Sequence, residues 1–352
     1  MELYATGGNQ WLQLSFGKQK EDGKHQEEDP DDLWEFTCVF RHDGDIHTIQ
    51  SFDSYNVVYQ KQNNSFITKA GRVPPDHNVL RSVDENIYRT FAEANNGHVA
   101  VYNPSTATIT EYLTIQDLLL DIGSEPIPET QPVCKISFTG FPDIIQLLSY
   151  STGFAALSSS GQVYTWGDER YAGCLGREVT NDCPASRPCP VPLLCNLPTG
   201  PINHLTTSPQ SYLLACLTEG NDLYVWCDPR RLPPSLQTLF VNQEANDAEP
   251  NGPTPVVITD AEGNEVDGIV DVAVGAEHVI ALTDRGEVYV IGENGSGQLG
   301  LGEGVEFVME WTRVPLRLGE EGGDRTKKKK KVVESVKAGA WASFLVVGEE
   351  EK

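Results

Sequence analysis

With 352 residues, 39% of them hydrophobic, the chain is long enough to bury a sizeable core, and its acidic residues outnumber the basic ones 51 to 26 for a formal charge of −25. A surface this negative repels phosphate backbones, which sets nucleic acid aside as a direct partner and favours a basic protein patch, unless the charge serves solubility alone. No apolar run is long enough to span a membrane, and no basic, apolar leader opens the sequence, so neither a membrane segment nor a secretory signal is expected. The eight cysteines are then expected as reduced thiols in the cytoplasm, the nucleus or both.

The abundance of glycine (32) and proline (22) fits many short strands joined by turns. In chain order, the first element is Leu3 to Leu14, which aligns without gaps on Val288 to Leu299, placing Gly7, Asn9, Gln13 and Leu14 on Gly292, Asn294, Gln298 and Leu299. Residues 17–32 are polar and charged and are expected as a disordered excursion. Two weak repeat copies follow, Thr48 to Gly71 and Ile87 to Tyr112, with His98 at the position that His278 holds later. A stronger copy spans residues 144–176, where Gly161 occupies a hairpin turn and Trp166-Gly167 align with Ile291-Gly292. Another, at residues 202–227, puts Asn221 in the turn and replaces the glycine-rich loop by Asp228-Pro229-Arg230.

The clearest copy, residues 269–302, reads as strand, turn, strand and glycine-rich loop. Val270, Val272 and Val274 alternate with Asp271 and Ala273, the period of a half-buried strand. Gly286 supplies the positive φ of the hairpin, and Gly292, Gly295 and Gly297 allow close backbone approach in the loop. Residues 319–331, with the run Arg325 to Lys331, form a second excursion; the segment Lys327–Lys331 is either a solvated loop or a nuclear localisation signal. The chain ends on Val332 to Val347, a first half-repeat with Gly339 on Gly275. One end thus supplies a second half and the other a first half, and pairing Leu3–Thr6 with this last segment closes a ring without an open sheet edge. Six first halves are countable, with the leucine-equivalent position at residues 60, 102, 157, 217, 282 and 346.

The motifs QVYTWG (162–167) and VAVGAEHVIALTDRGEVYVIGENGSGQLGLG (272–302) resemble the repeats of the regulator of chromosome condensation family. The resemblance implies an all-β fold, a single β-propeller domain over residues 1–352, with six blades countable and the family's usual seven possible. In length and repeat decay the chain is also similar to the fungal alpha-tubulin suppressor or killer-toxin-insensitivity proteins. That likeness implies a partner, a small zinc protein used in diphthamide synthesis and in Elongator-dependent modification of transfer RNA. The family's founder implies the alternative of nucleotide exchange on a Ran-type GTPase.

Read from the residues, no catalytic constellation emerges, and no cofactor is expected. His98 and His278 share a repeat position, which marks a scaffold role. Cys174, Cys183, Cys189 and Cys195 fall close enough in sequence to suggest four thiolates around zinc, but their spacing lacks the C-x-x-C knuckle, leaving separate reduced thiols as the other reading. Trp166 is expected in the core. The expectation is a non-catalytic interaction scaffold, monomeric or heterodimeric, with contacts in the irregular connections at Cys183–Cys195 and at Asp228, Arg230 and Arg231.

Overall fold

The computed structural model describes residues 1–16, 31–62, 64–74, 91–123, 133–240, 252–318 and 330–349. The chain divides into two compact units: residues 1–73, 233–239 and 257–352 form the first, and residues 74–232 and 240–256 the second. Both are built from antiparallel sheets, six in all among the described residues, five of four strands and one of three.

In the first unit, β1 (Glu2–Gly7) lies between β2 (Leu33–Arg41) and β23 (Ala342–Glu349), and β22 (Lys331–Ala338) completes the sheet. Glu2 pairs with Val347 and Gly7 with Ala342, so the two halves supplied by the chain ends do make one sheet. A three-stranded sheet of β3 (Asp45–Ser51), β4 (Tyr55–Gln62) and β5 (Asn64–Gly71) follows. The third sheet is β18 (Ile269–Val274), β19 (His278–Thr283), β20 (Val288–Glu293) and β21 (Phe307–Arg313). In the second unit the sheets are β6 (Phe91–Glu93) to β9 (Lys135–Thr139) through β7 (Val99–Asn103) and β8 (Thr108–Tyr112); β10 (Ile144–Tyr150), β11 (Gly153–Ser158), β12 (Val163–Gly167) and β13 (Cys189–Pro190); and β14 (Ile202–Thr206), β15 (Leu213–Thr218), β16 (Leu223–Cys227) and β17 (Thr254–Val256). The outer strands β2, β9, β13, β17 and β21 carry no share of the repeat pattern and were not foreseen.

The hairpin turns follow their residues. Gly161, Asn221 and Gly286 have φ of 78°, 69° and 76°, and each donates its N–H three residues back, to Ser158, Thr218 and Thr283. Asparagine is among the few side chains that tolerate this region, which is why the turn survives without glycine at residue 221. The register puts Tyr59, four residues beyond Tyr55, where Leu282 stands beyond His278, so the first member of the leucine series is residue 59 and not 60.

The alternation expected in residues 270–274 fails at its start. A bulge between Ile269 and Asp271 turns Val270 outward, 45% exposed, and buries Asp271. The same irregularity recurs between Ile46 and Thr48, Ile144 and Gln146, Ile202 and His204, and Val333 and Ser335. In two of these sheets the polar side chain that the bulge turns reaches the next sheet. Gln146 grips Leu205 at both ends, receiving its N–H (2.9 Å) and donating to its carbonyl (3.3 Å). At the corresponding position Asp271 accepts the N–H of Val336 at 2.9 Å.

The cores lie where neighbouring sheets face each other. One cluster joins Ile280, Leu282, Val290 and Leu299 to Val336 and Leu345; another joins Ala100, Ile109 and Tyr102 to Phe154 and Trp166. Each such aliphatic side chain contributes about 1.5–3 kcal/mol by leaving water.

Of the two expected excursions, residues 17–30 and 319–329 lie outside the described residues. Their far ends do not belong to them. Asp32 accepts the N–H of Asn9 at 2.8 Å, and Lys331 begins β22 with its ammonium 2.6 Å from Glu2. The basic run therefore ends in a strand, and Lys331 is committed to holding β1.

Candidate functional site

The repeat residues first show what is scaffold. Gly7 and Gly292 both have φ of 121°, and a methyl group on either would overlap the carbonyl oxygen of Trp341 or of Glu277. Asn9 and Asn294 accept the N–H of Leu14 (2.9 Å) and of Leu299 (2.8 Å), holding the loop that follows. Both leucines are buried, and Gly297 turns that loop at φ 84°. Gly167 ends β12, Gly275 packs against the His278 ring, and Gly339 packs against Ser51. Trp166 is 1% exposed and donates Nε1–H to Glu111 at 3.0 Å, so it serves the core.

The histidines are engaged too. Ser343 Oγ donates to Gln298 O at 2.7 Å, so its single proton is spent and His278 Nε2, 2.9 Å away, is the donor between them. Burial pushes His278 down to about 4. His98 pairs through Nδ1 with Glu111 at 2.8 Å.

The four cysteines do not converge. Cys174 is buried in a short helix, Ala172–Leu175, its Sγ 3.3 Å from Tyr212 O, and burial pushes its thiol up. Cys189 lies beside Cys183, and burial together with that thiol pushes it up to about 11. Cys195 is exposed, near Val191 O. Among the described residues no group of three or more metal-ligating side chains forms, so the zinc reading is set aside. The connection they occupy is organised from within: buried Arg177 donates to the carbonyls of Thr165, Glu178, Cys183, Pro184 and Arg187.

The exposed chemistry of the second unit gathers where β12 and β16 end. After each strand comes the same three-residue device. Asp168 caps a turn by accepting Arg170 N–H at 2.9 Å, and its carboxylate takes the Arg170 guanidinium through Nε (3.0 Å) and Nη2 (2.5 Å). Asp228 repeats this with Arg230, at 3.1 Å to the N–H, 2.9 Å to Nε and 2.6 Å to Nη2. Each guanidinium holds its aspartate below the ordinary carboxylate range. A fork of this kind fixes a flexible arginine in one direction, which lowers the entropy lost on binding.

The two forks are joined. Arg230 Nη2 reaches Arg170 O at 2.7 Å. Arg231 lies over the rings of Tyr171 (5.3 Å) and Tyr212 (5.8 Å), and Arg170 over Tyr171 (5.9 Å). The Arg170 and Arg230 side chains remain 81% and 70% exposed. Of the foreseen contact residues, Arg230 and Arg231 stand in this cluster, while Asp228 is buried beneath it. Arg170, Tyr171 and Tyr212 were missed. The signal was present, since Asp-x-Arg recurs at 168–170 and 228–230, one repeat apart.

Residues 269–298 match the family model of the regulator of chromosome condensation (RCC1) repeat. That segment is similar to a regulator of chromosome condensation repeat. Over 165 residues it is 27% identical to the Regulator of chromosome condensation of Drosophila melanogaster, a match covering 46% of this chain and 26% of that protein. The chain thus spans about a quarter of that relative. Its fold is similar to human WBSCR16, at 13% identity and a TM-score of 0.54 over 99% of this chain and 100% of that one. It is likewise similar to Prp20p of Saccharomyces cerevisiae, described with its binding to Gsp1p and histones, at 14% identity and a TM-score of 0.53 over 100% and 92%. The antiparallel sheets here are therefore blades of a β-propeller fold. In those terms Arg170, Tyr171, Arg230 and Arg231 stand on the loops that end two successive third strands, and Tyr212 on the turn before β15. No helix among the described residues is long and apolar enough to cross a membrane.

Proposed function

We propose that this chain is a non-catalytic protein-interaction module of the cytoplasm or nucleus, and that the cluster of Arg170, Tyr171, Tyr212, Arg230 and Arg231 is the surface its partner contacts. The observation that carries this reading is the pair of Asp–Arg forks, in which one buried carboxylate, Asp228, and one partly buried, Asp168, aim two exposed guanidiniums. Arginine and tyrosine are the residues that dominate interface energetics, because each brings area and hydrogen bonds at small entropic cost. The engagement of His98 and His278 in scaffold contacts supports the absence of a catalytic base among them.

The partner is, on this reading, the small zinc protein of diphthamide synthesis and of Elongator-dependent transfer RNA modification. That identity rests on the similarity to the killer-toxin-insensitivity proteins. Mixing the purified chain with that protein should give a one-to-one complex in gel filtration at micromolar concentration. A parallel assay of nucleotide release from a Ran-type GTPase separates the alternative: acceleration there, without a complex with the zinc protein, would replace the scaffold reading by exchange.

A further inference from the structure

The loop end of the first unit carries a different surface. Trp11 and Leu12 stand at the tip of the loop after β1, 41% and 51% exposed, and Trp341 in the turn before β23 is 37% exposed. The three belong to one patch. Gly8 N–H donates to Trp341 O at 2.8 Å, and Trp341 Nε1–H donates to Asp53 at 3.1 Å. Ser54 O, next to Asp53, accepts Arg72 N–H at 2.9 Å, and Arg72 lies 4.4 Å over the Trp11 ring. The contacts thus return to the loop they left. Leu12 also sits at φ 60°, in the place that Gly297 fills in the neighbouring sheet at 84°. A leucine there costs about 1–2 kcal/mol that a glycine would avoid. The chain bears that cost to keep a large apolar side chain in water, which folding alone does not call for.

The charge beside the patch is negative. Gly8 lies between Trp341 and Ser296, and Ala276 N–H donates to Ala340 O at 3.2 Å, bringing the β18–β21 loops against the tryptophan turn. These loops present Glu277 and Glu293, whose main chains are bonded at 2.9 Å. Partial burial and the Glu293 charge push the Glu277 carboxyl up, so a cation between the two would be welcome. Asp53 adds a third carboxylate under Trp341, with the Arg72 guanidinium over Trp11.

We propose that Trp11, Leu12 and Trp341, with Asp53, Glu277 and Glu293, form a second docking surface that takes a lysine- or arginine-bearing segment of a protein partner. The aliphatic stems and apolar residues of the segment lie on the tryptophans and Leu12, and its cations meet the carboxylates and the indole faces. The chain's charge of −25 brings such a segment in by steering. This surface is independent of the arginine–tyrosine cluster, whose exposed groups are cations, so the two readings fail separately.

The test is fluorescence anisotropy with a labelled peptide of lysine and leucine interspersed with glycine and serine, and with its glutamate-for-lysine counterpart. The parent should bind the lysine peptide at micromolar levels and not the glutamate one. Trp11→Ala combined with Trp341→Ala should weaken binding about tenfold without changing net charge. Glu277→Gln with Glu293→Gln should weaken it more than Glu262→Gln with Asp284→Asn, which removes the same charge from exposed turns of the same unit. Trp341→Phe should retain most of the affinity, with melting temperatures confirming that every variant is folded. Equal loss in both charge pairs, an unaffected tryptophan pair, or preference for the glutamate peptide would overturn the proposal. So would a tryptophan-dependent dimer of this chain in place of peptide binding.

Discussion

Replacing Trp166 separates what its ring and its N–H each contribute. The side chain is 1% exposed, stacked at a tilt 5.3 Å from Phe154 and enclosed by Ala92, Ala100, Tyr102 and Ile109. An indole buries roughly 200 Å², and at about 25 cal/mol per Å² its transfer is worth about 5 kcal/mol, part of which alanine keeps. Trp166→Ala should therefore cost about 4 kcal/mol, the cavity included. Trp166→Phe keeps most of the apolar volume but removes the 3.0 Å bond to Glu111, a mostly buried carboxylate that also holds His98. Leaving that oxygen without its donor should cost about 2 kcal/mol. Trp226, equally buried in the next sheet, donates instead to Cys174 O, so its phenylalanine variant should lose less. Urea unfolding of the three variants, compared by midpoint at constant slope, reads the series directly. A loss below about 1 kcal/mol for Trp166→Ala would refute the core assignment. Equal losses for alanine and phenylalanine would show that the bond to Glu111, and not the packing, dominates.

Three further outcomes follow from the same geometry. The folded His278 sits at about 4 against an ordinary 6.5, so the unfolded chain takes up the proton first; this contribution is whole above pH 6.5 and lost as pH falls towards 4, by about 3 kcal/mol. His278→Gln should flatten that part of the stability profile, and an unchanged acid slope between variant and parent would contradict it. Gln146→Met removes the two bonds to Leu205 at nearly constant volume and should cost about 2 kcal/mol in chemical denaturation, with no loss if the bonds carry nothing. Deleting residues 1–14 takes β1 from between β2 and β23 and should yield an aggregating chain; a soluble truncation with the parent's melting temperature would contradict the joining of the two ends.

The repeat was legible wherever backbone conformation dictates residue type. Gly7 and Gly292 announce the same close approach, Asn9 and Asn294 the same loop bond, and Asn221 stood in for a turn glycine because it tolerates positive φ. The outer strands were not legible, since β2, β13 and β21 pack on one side only and their sequences answer to their own loops. Nor was the bulge: a period-two pattern assumes an unbroken pleat, and one inserted residue sends Val270 out and Asp271 in. The site was legible by half. The irregular segment after Cys227 pointed to Arg230 and Arg231, but Tyr212 joins them only through the fold, from the turn before β15. For the cysteines, sequence proximity is not convergence: Cys174 and Cys195 bond to separate carbonyls, those of Tyr212 and Val191.

The central claim, that the arginine–tyrosine cluster is a partner-binding surface, is tested most directly by calorimetric titration of the small zinc protein into the parent chain and into Arg230→Ala and Tyr212→Ala. Arg230→Ala leaves the buried Asp228 without its guanidinium and Tyr212→Ala removes a side chain packed against the core, so melting temperatures are used to confirm that each variant is folded before titration. The account predicts micromolar or tighter binding to the parent and a loss of tenfold or more in each variant, as hot-spot truncations of about 2 kcal/mol give. Equal affinity for all three chains, or no heat of binding to the parent, would contradict it.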